Sequence, residues 1–228
     1  MAPSQPKKGS AVLYSEMTPD PSFEDRFNTW YDGEHVPVRM DCAGFASGQR
    51  YKARDTAGYL AVYEMTDSGV LSTDAYKQVK DNPSDETSWM LANVTGFTRY
   101  LASELTVTLK PGSEADAALD APVIHSIWFD VPESDQTEFD DWYESEHIPL
   151  LMKSPDWLMV RRFAVLDGVP DQFTRLSIHY LANEEALQSP QRAAARETPW
   201  RARLAEREWF KPSYAVFLRH GARQQGHG

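Results

Sequence analysis

The chain has 228 residues, 34 acidic and 23 basic side chains, and a formal net charge of −11. That balance argues against a nucleic-acid partner, because phosphate binding needs a basic surface. Hydrophobic residues at 41% and aromatics at 12% suffice for a sizeable core and exclude disorder for the bulk of the chain. The length admits one large domain or two small ones. A lone cysteine, Cys42, leaves no intramolecular disulfide and no multi-cysteine zinc site, and it reads as a loop or core thiol. Reducing cytoplasm is the expected compartment. No stretch approaches the roughly 18 apolar residues of a membrane span, so no membrane partner is expected.

Residues 1–10 and 220–228 are polar and rich in Gly, Pro, Gln or Lys, and read as flexible tails. Between them, 11–17 is an apolar, β-branched run bounded by Pro and Asp, hence a strand. Residues 22–35 have helical spacing, with Ser22 as N-cap. Two more strands follow at 44–53 and 58–65, then a helical region over 72–94 broken near Pro83, then a strand over 98–109. Residues 110–122, small, acidic and Pro/Gly-containing, read as a linker. The order then recurs: strand 123–130, helix 134–147 with Ser134 as cap, strands 156–166 and 174–182, helical residues 184–208 broken near Pro190 and Pro199, and strand 213–219.

The recurrence is visible residue by residue. Phe27 to Pro37 and Phe139 to Pro149 share F-x-x-W-Y-x-x-E-H-[VI]-P at a shift of 112, and eight of the eleven positions match in identity or class. The same shift carries Arg50-Tyr51 onto Arg162-Phe163, and a later drift to 116 places a loop insertion within 167–173. Thr87-Ser-Trp89 matches Thr198-Pro-Trp200. Two βαββαβ units, 11–109 and 123–219, are therefore expected, each a four-stranded sheet with both helices on one face. The bare faces can cover each other.

On these motifs the chain resembles the dimeric α+β barrel superfamily, as an internally duplicated single chain, and W-Y-x-x-E-H-[VI]-P is similar to a signature of EthD-like members. The resemblance implies an α+β fold of two ferredoxin-like repeats packed sheet to sheet. Its functional implication is broad, covering cofactor-free monooxygenases, isomerases, cyclases, dehydratases, lyases and haem proteins.

At 100° per residue, Phe27, Trp30, Tyr31, Glu34 and His35 share an arc of roughly 140°, a buried helix face with its edges. Pro37 should end or kink the helix beside His35. There the helix dipole and Glu34 would favour a charged imidazole. His35 and His147 are candidate proton-transfer groups, with Tyr31 and Tyr143 donating hydrogen bonds to a substrate oxygen; equally, the histidines could close helix-end carbonyls while the aromatics fill the core. Trp30 and Trp142 read as core first and binding platform second. Differences between halves point to one specialised pocket: Arg39 faces Leu151, Tyr63 faces His179, and Leu13 faces His125. His125, His147 and His179 could form a three-histidine metal site, although their wide separation speaks against one. Arg50 and Arg162 could clamp a carboxylate or enolate, or pair with surplus acids.

The expectation is a cofactor-independent acid/base enzyme, a lyase, isomerase or cyclase, acting on a small apolar, aromatic or polyketide-like molecule. Its catalytic residues would be His35, His147, Tyr31, Tyr143 and His179. Its substrate would lie against Arg39, Arg50, Arg162, Tyr63, Trp30 and Trp142, with no cofactor and no metal. The alternatives are a cofactor-free monooxygenase, a haem or metal protein, or a non-catalytic small-molecule binder. A homodimer of the fused barrel is a further partner to consider.

Overall fold

A computed structural model describes residues 6–170 and 172–227; the expected tails at 1–5 and 228, and Asp171 of the expected insertion, lie outside them. The strands are β1 (Ala11–Thr18), β2 (Phe45–Ala53), β3 (Tyr59–Met65), β4 (Thr95–Leu109), β5 (Val123–Phe129), β6 (Trp157–Val169), β7 (Arg175–Leu181) and β8 (Ser213–Gln225). They close into one antiparallel barrel in the order β1-β3-β2-β8-β5-β7-β6-β4. Within each half the order is that of a ferredoxin-like unit, 4-1-3-2, so the expected α+β architecture of two fused repeats is what the chain adopts.

The halves do more than face each other. Strand β2 pairs with β8 and β4 with β6, so each half supplies partners for both open edges of the other. The strands that reach across are long: β4 has 15 residues, β6 has 13 and β8 has 13. The insertion near residue 167 extends β6 so that Val169 meets Arg99 of β4. Likewise β8 runs to Gln225, opposite Ser47, well past residue 219 where sequence composition suggests a tail.

Alternation along each strand sorts side chains into two buried layers. In β1, Val12 and Tyr14 join the barrel interior, whereas Ala11, Leu13 and Met17 face the helices of the first half. In β5, Ile124 and Trp128 point inward and Val123 and Phe129 point to the helices of the second half. Both sheet faces are covered, which is why these strands read as nearly continuous apolar runs.

The linker is part of the core. It contains the short helix α5 (Ala115–Ala118), and Ala118, Leu119 and Ala121 plug the barrel interior. Beside it, the segment before β1 is pinned. The Gly9 amide donates to Glu64 at 3.0 Å, and the Gly9 carbonyl accepts from Arg161 at 3.0 Å. A Cβ on Gly9 would stand 1.9 Å from the Met65 carbonyl oxygen, so only glycine lets the backbones approach this closely. Among the described residues no helix is long and apolar enough to cross a membrane.

Candidate functional site

The repeated motif forms a helix with a wide turn in its middle. In the first half α1 (Glu24–Trp30) passes through a π turn, Tyr31–His35, into α2 (Pro37–Met40). In the second, α6 (Gln136–Trp142) passes through Tyr143–His147 into α7 (Ile148–Leu151). The Val36 amide donates to the Tyr31 carbonyl, five residues back, at 3.0 Å. A proline has no N–H and crowds the preceding turn, so the ladder widens before Pro37 and then restarts with Pro37 at the first helical position, where it is tolerated. The helix therefore continues past His35 rather than ending there. Nor do Ser22 and Ser134 cap it: Asp20 caps the entry turn in the first half, and no side chain does so in the second.

The wide turn sends consecutive motif residues in opposite directions. Glu34 turns outward and accepts from Ser84 and from Thr87, the latter at 2.8 Å. Glu146 accepts from Thr198 at 2.6 Å and from the Trp142 indole at 3.1 Å. Ser84 and Thr198 are the N-caps of the helices they open, α4 (Asp85–Asn93) and α9 (Pro199–Ala205), so Ser84 rather than Thr87 is the counterpart of Thr198. The motif glutamate thus ties its helix to the last helix of the same half.

Arg50 and Arg162, both buried, hold the same helix to the sheet. Arg50 reaches Asp32 at 2.8 Å and Asn28 at 2.7 Å, with its guanidinium 4.4 Å over the Tyr31 ring. Arg162 reaches Glu144 at 3.0 Å and Asp140, and lies 4.6 Å over Tyr143.

The inward-facing residues separate the halves. In the first, Arg39 donates to the His35 carbonyl at 2.7 Å and lies over the Tyr63 ring, while Tyr76 packs against Phe45. These large side chains fill the space between sheet and helices, and His35 is enclosed between Trp30 and Tyr31. In the second half, Leu151 stands where Arg39 would be, and a half-open cleft remains with about 640 Å³ of empty space, its mouth included. His125, His147, His179 and Tyr143 line it together with the indoles of Trp142 and Trp157.

Hydrogen bonds fix the state of each imidazole. An indole N–H can only donate, so the 3.0 Å contact from Trp157 makes His179 Nδ1 an acceptor. The ring proton then sits on Nε2 and is donated to the Tyr143 oxygen at 2.9 Å, leaving the Tyr143 O–H to point elsewhere. His147 Nδ1 lies 3.1 Å from the Ala195 carbonyl and His125 Nδ1 3.3 Å from the Ala215 carbonyl. A carbonyl can only accept, so both rings carry their proton on Nδ1 and keep an unprotonated Nε2. Burial pushes His125 and His147 down to about 4, and pushes His179 well below the usual imidazole range. His35 is also held well below it, by burial and then by Arg39 and Arg50. This overturns the expectation of charged imidazoles: desolvation outweighs the helix end, and the neighbouring glutamates face away. Burial also raises the Tyr143 phenol to about 12.

The three histidines of the second half thus share one cleft, but both nitrogens of His179 are engaged, and among the described residues no three metal-ligating side chains converge. Sequence reasoning missed the mouth of the cleft, where Arg192, Arg196 and Arg201 stand.

No protein-family model matches the chain, and no curated protein does. Solved structures do. An anthrone oxidase-like protein superposes with a TM-score of 0.70 at 12% identity, covering 98% of this chain and 96% of that one. A candidate monooxygenase of Fusobacterium nucleatum gives 0.59 at 10% identity, over 95% of each chain. The chain is a single-chain barrel of two ferredoxin-like units. A cyanide complex of a chlorite dismutase variant from Candidatus Nitrospira defluvii has the same fold, with a TM-score of 0.59 at 9% identity over 92% of this chain and 90% of that one. At such identities the likeness is one of fold. The names are nonetheless those of redox enzymes, and they overturn the expectation of a lyase, isomerase or cyclase working without a redox cofactor.

Proposed function

We propose that the cleft of the second half is the cofactor and substrate site of a redox enzyme, and that haem is the group its residues suit. The observation that carries this reading is a pair of neutral imidazoles, His147 and His125, with Nδ1 committed to a backbone carbonyl and Nε2 unprotonated in an aromatic-walled cleft. An iron ligand needs that state, and a carbonyl on the far nitrogen is the usual means of orienting it. His147 or His125 would hold the iron, and Trp142, Trp157, Phe129 and Phe210 would enclose the macrocycle. When bound, haem would supply the electron-transfer and oxygen chemistry that no side chain here provides.

The chain's own residues orient and exclude. His179 donates its Nε2–H to the Tyr143 oxygen, so the phenol proton is available to a ligand oxygen. Arg162 holds Tyr143 in place from beneath. Tyr31, His35, Arg39, Arg50, Tyr63 and Trp30 form the filled counterpart, which supports one working cleft per chain.

Titrating purified protein with haemin tests the reading. A Soret band saturating at one haemin per chain is expected, lost or shifted in His147→Ala or His125→Ala and unchanged in His35→Ala. Absence of binding, or a wild-type spectrum in both cleft variants, would overturn it.

A further inference from the structure

The arginines at the mouth of the cleft form a site of their own. Helix α8 (Pro190–Arg196) and helix α9 supply Arg192, Arg196 and Arg201. All three line the cleft, and the first two continue into an outer groove beside Glu197. Among the described residues, Arg192 and Arg201 donate only to backbone carbonyls, of Leu187 at 2.8 Å and Arg196 at 3.1 Å. Among the described residues none of the three has a carboxylate within ion-pair distance, whereas Arg50, Arg161, Arg162, Arg175, Arg219 and Arg223 all do. Three clustered guanidiniums without a counter-ion, in a chain of net charge −11, are unusual.

The duplication supplies an internal control. Thr73 caps helix α3 (Asp74–Asp81) by accepting from the Tyr76 amide, and Ser189 caps α8 by accepting from the Arg192 amide. Tyr76 is therefore the counterpart of Arg192. In the closed half that position is filled by a buried ring; in the open half it carries a cation. The positive charge belongs to the open cleft and not to the fold.

We infer that Arg192, Arg196 and Arg201 form an anion-recognition site, and that the cleft takes planar aromatic ligands bearing a carboxylate at the mouth. Burial and the field of Arg196 both press the Arg192 and Arg201 guanidiniums toward losing their proton, a cost that a bound carboxylate would relieve. The inference rests on the cleft being the ligand site, and two sources share this chemistry: the carboxylates of haem itself, or a carboxylate on a substrate.

Paired probes separate them. Haemin is compared with its dimethyl ester by the Soret band, and 2-naphthoate with 2-naphthalenemethanol by calorimetry, in the full chain. The charged member of at least one pair is expected to bind about tenfold more tightly or better. That preference should vanish in Arg192→Gln/Arg201→Gln and persist in Arg203→Gln, an exposed charge change on the same helix. Preference confined to haemin assigns the arginines to the cofactor, and preference confined to 2-naphthoate assigns them to the substrate. Equal affinities within both pairs, a preference retained by the double variant, or no binding of any probe would overturn the site. Haemin binding through His147 with no charge preference in either pair would sink this inference alone and leave the redox reading standing.

Discussion

A neutral imidazole in an apolar cleft makes stability depend on pH in a definite direction. His125 and His147 titrate near 4 in the folded chain and near 6.5 when unfolded, so between these values the unfolded state binds more protons. Their contribution is complete above pH 6.5 and is lost as pH falls toward 4. Shifts of this size correspond to about 3 kcal/mol for each histidine. Urea midpoints measured from pH 7 to pH 4 should fall steeply in the wild-type chain and less so in His125→Phe, a shallower slope confirming the assignment and an identical one refuting it. At this scale the sequence was informative where residues repeat or fail to repeat. Tyr143 and His147 stood out because their motif occurs twice, and His179 because its counterpart is Tyr63. The arginines of the cleft mouth were illegible: in an acidic chain, arginines among alanines read as a solvated helix face, and no local pattern records that their carboxylate partners are missing. Arg161 is equally illegible beside Arg162, because strand alternation alone does not say which neighbour enters the barrel.

The motif helix is the element on which both halves depend. Its glutamate bonds the N-cap of the last helix of its half, so Glu146→Ala would leave the Thr198 hydroxyl and the Trp142 indole N–H without their acceptor. Losing these bonds should cost about 1–3 kcal/mol, read as a lowered thermal midpoint, and Glu146→Gln should restore part of it. A midpoint unchanged in Glu146→Ala would show that the link contributes nothing. The sequence located this helix and its buried face but not its π turn, because a proline reads locally as a stop. Only packing on both sides of Pro37 and Pro149 makes continuing the helix the better solution. The same turn rotates Glu34 and Glu146 away from the histidines they adjoin in sequence, which is why a charge argument from adjacency failed.

Across the whole molecule, the seam between halves is held by strand pairing and by one buried ion cluster. Arg161 on β6 meets Glu64 of β3 at 2.5 Å and Glu104 of β4 at 2.6 Å, with no exposure of its own. Removing the guanidinium leaves the buried Glu64 carboxylate, among the described residues, with the Gly9 amide alone, while Glu104 keeps Lys8 at 2.6 Å, so Arg161→Ala should destabilise by about 3–5 kcal/mol. Combining Arg161→Met with Glu64→Leu and Glu104→Gln should recover much of that loss in chemical denaturation, and a triple variant no better than Arg161→Ala would refute the account. The repeat made the overall barrel legible in the sequence. Closure at β2·β8 and β4·β6 was not legible, since alternation along a strand records which face it buries and not which strand lies at its edge; the overruns at Val169 and Gln225 only lengthen the seams.

Joining the two units through residues 110–122 also breaks a constraint that identical subunits cannot escape. In a pair of copies, any side chain that closes one cleft closes both. Here Arg39, Tyr63 and Tyr76 occupy the first cleft while Leu151, His179 and Arg192 open the second. One unit can therefore serve as a permanent scaffold, and substitutions that reshape ligand preference can accumulate in the other without weakening the half that keeps it closed into a barrel.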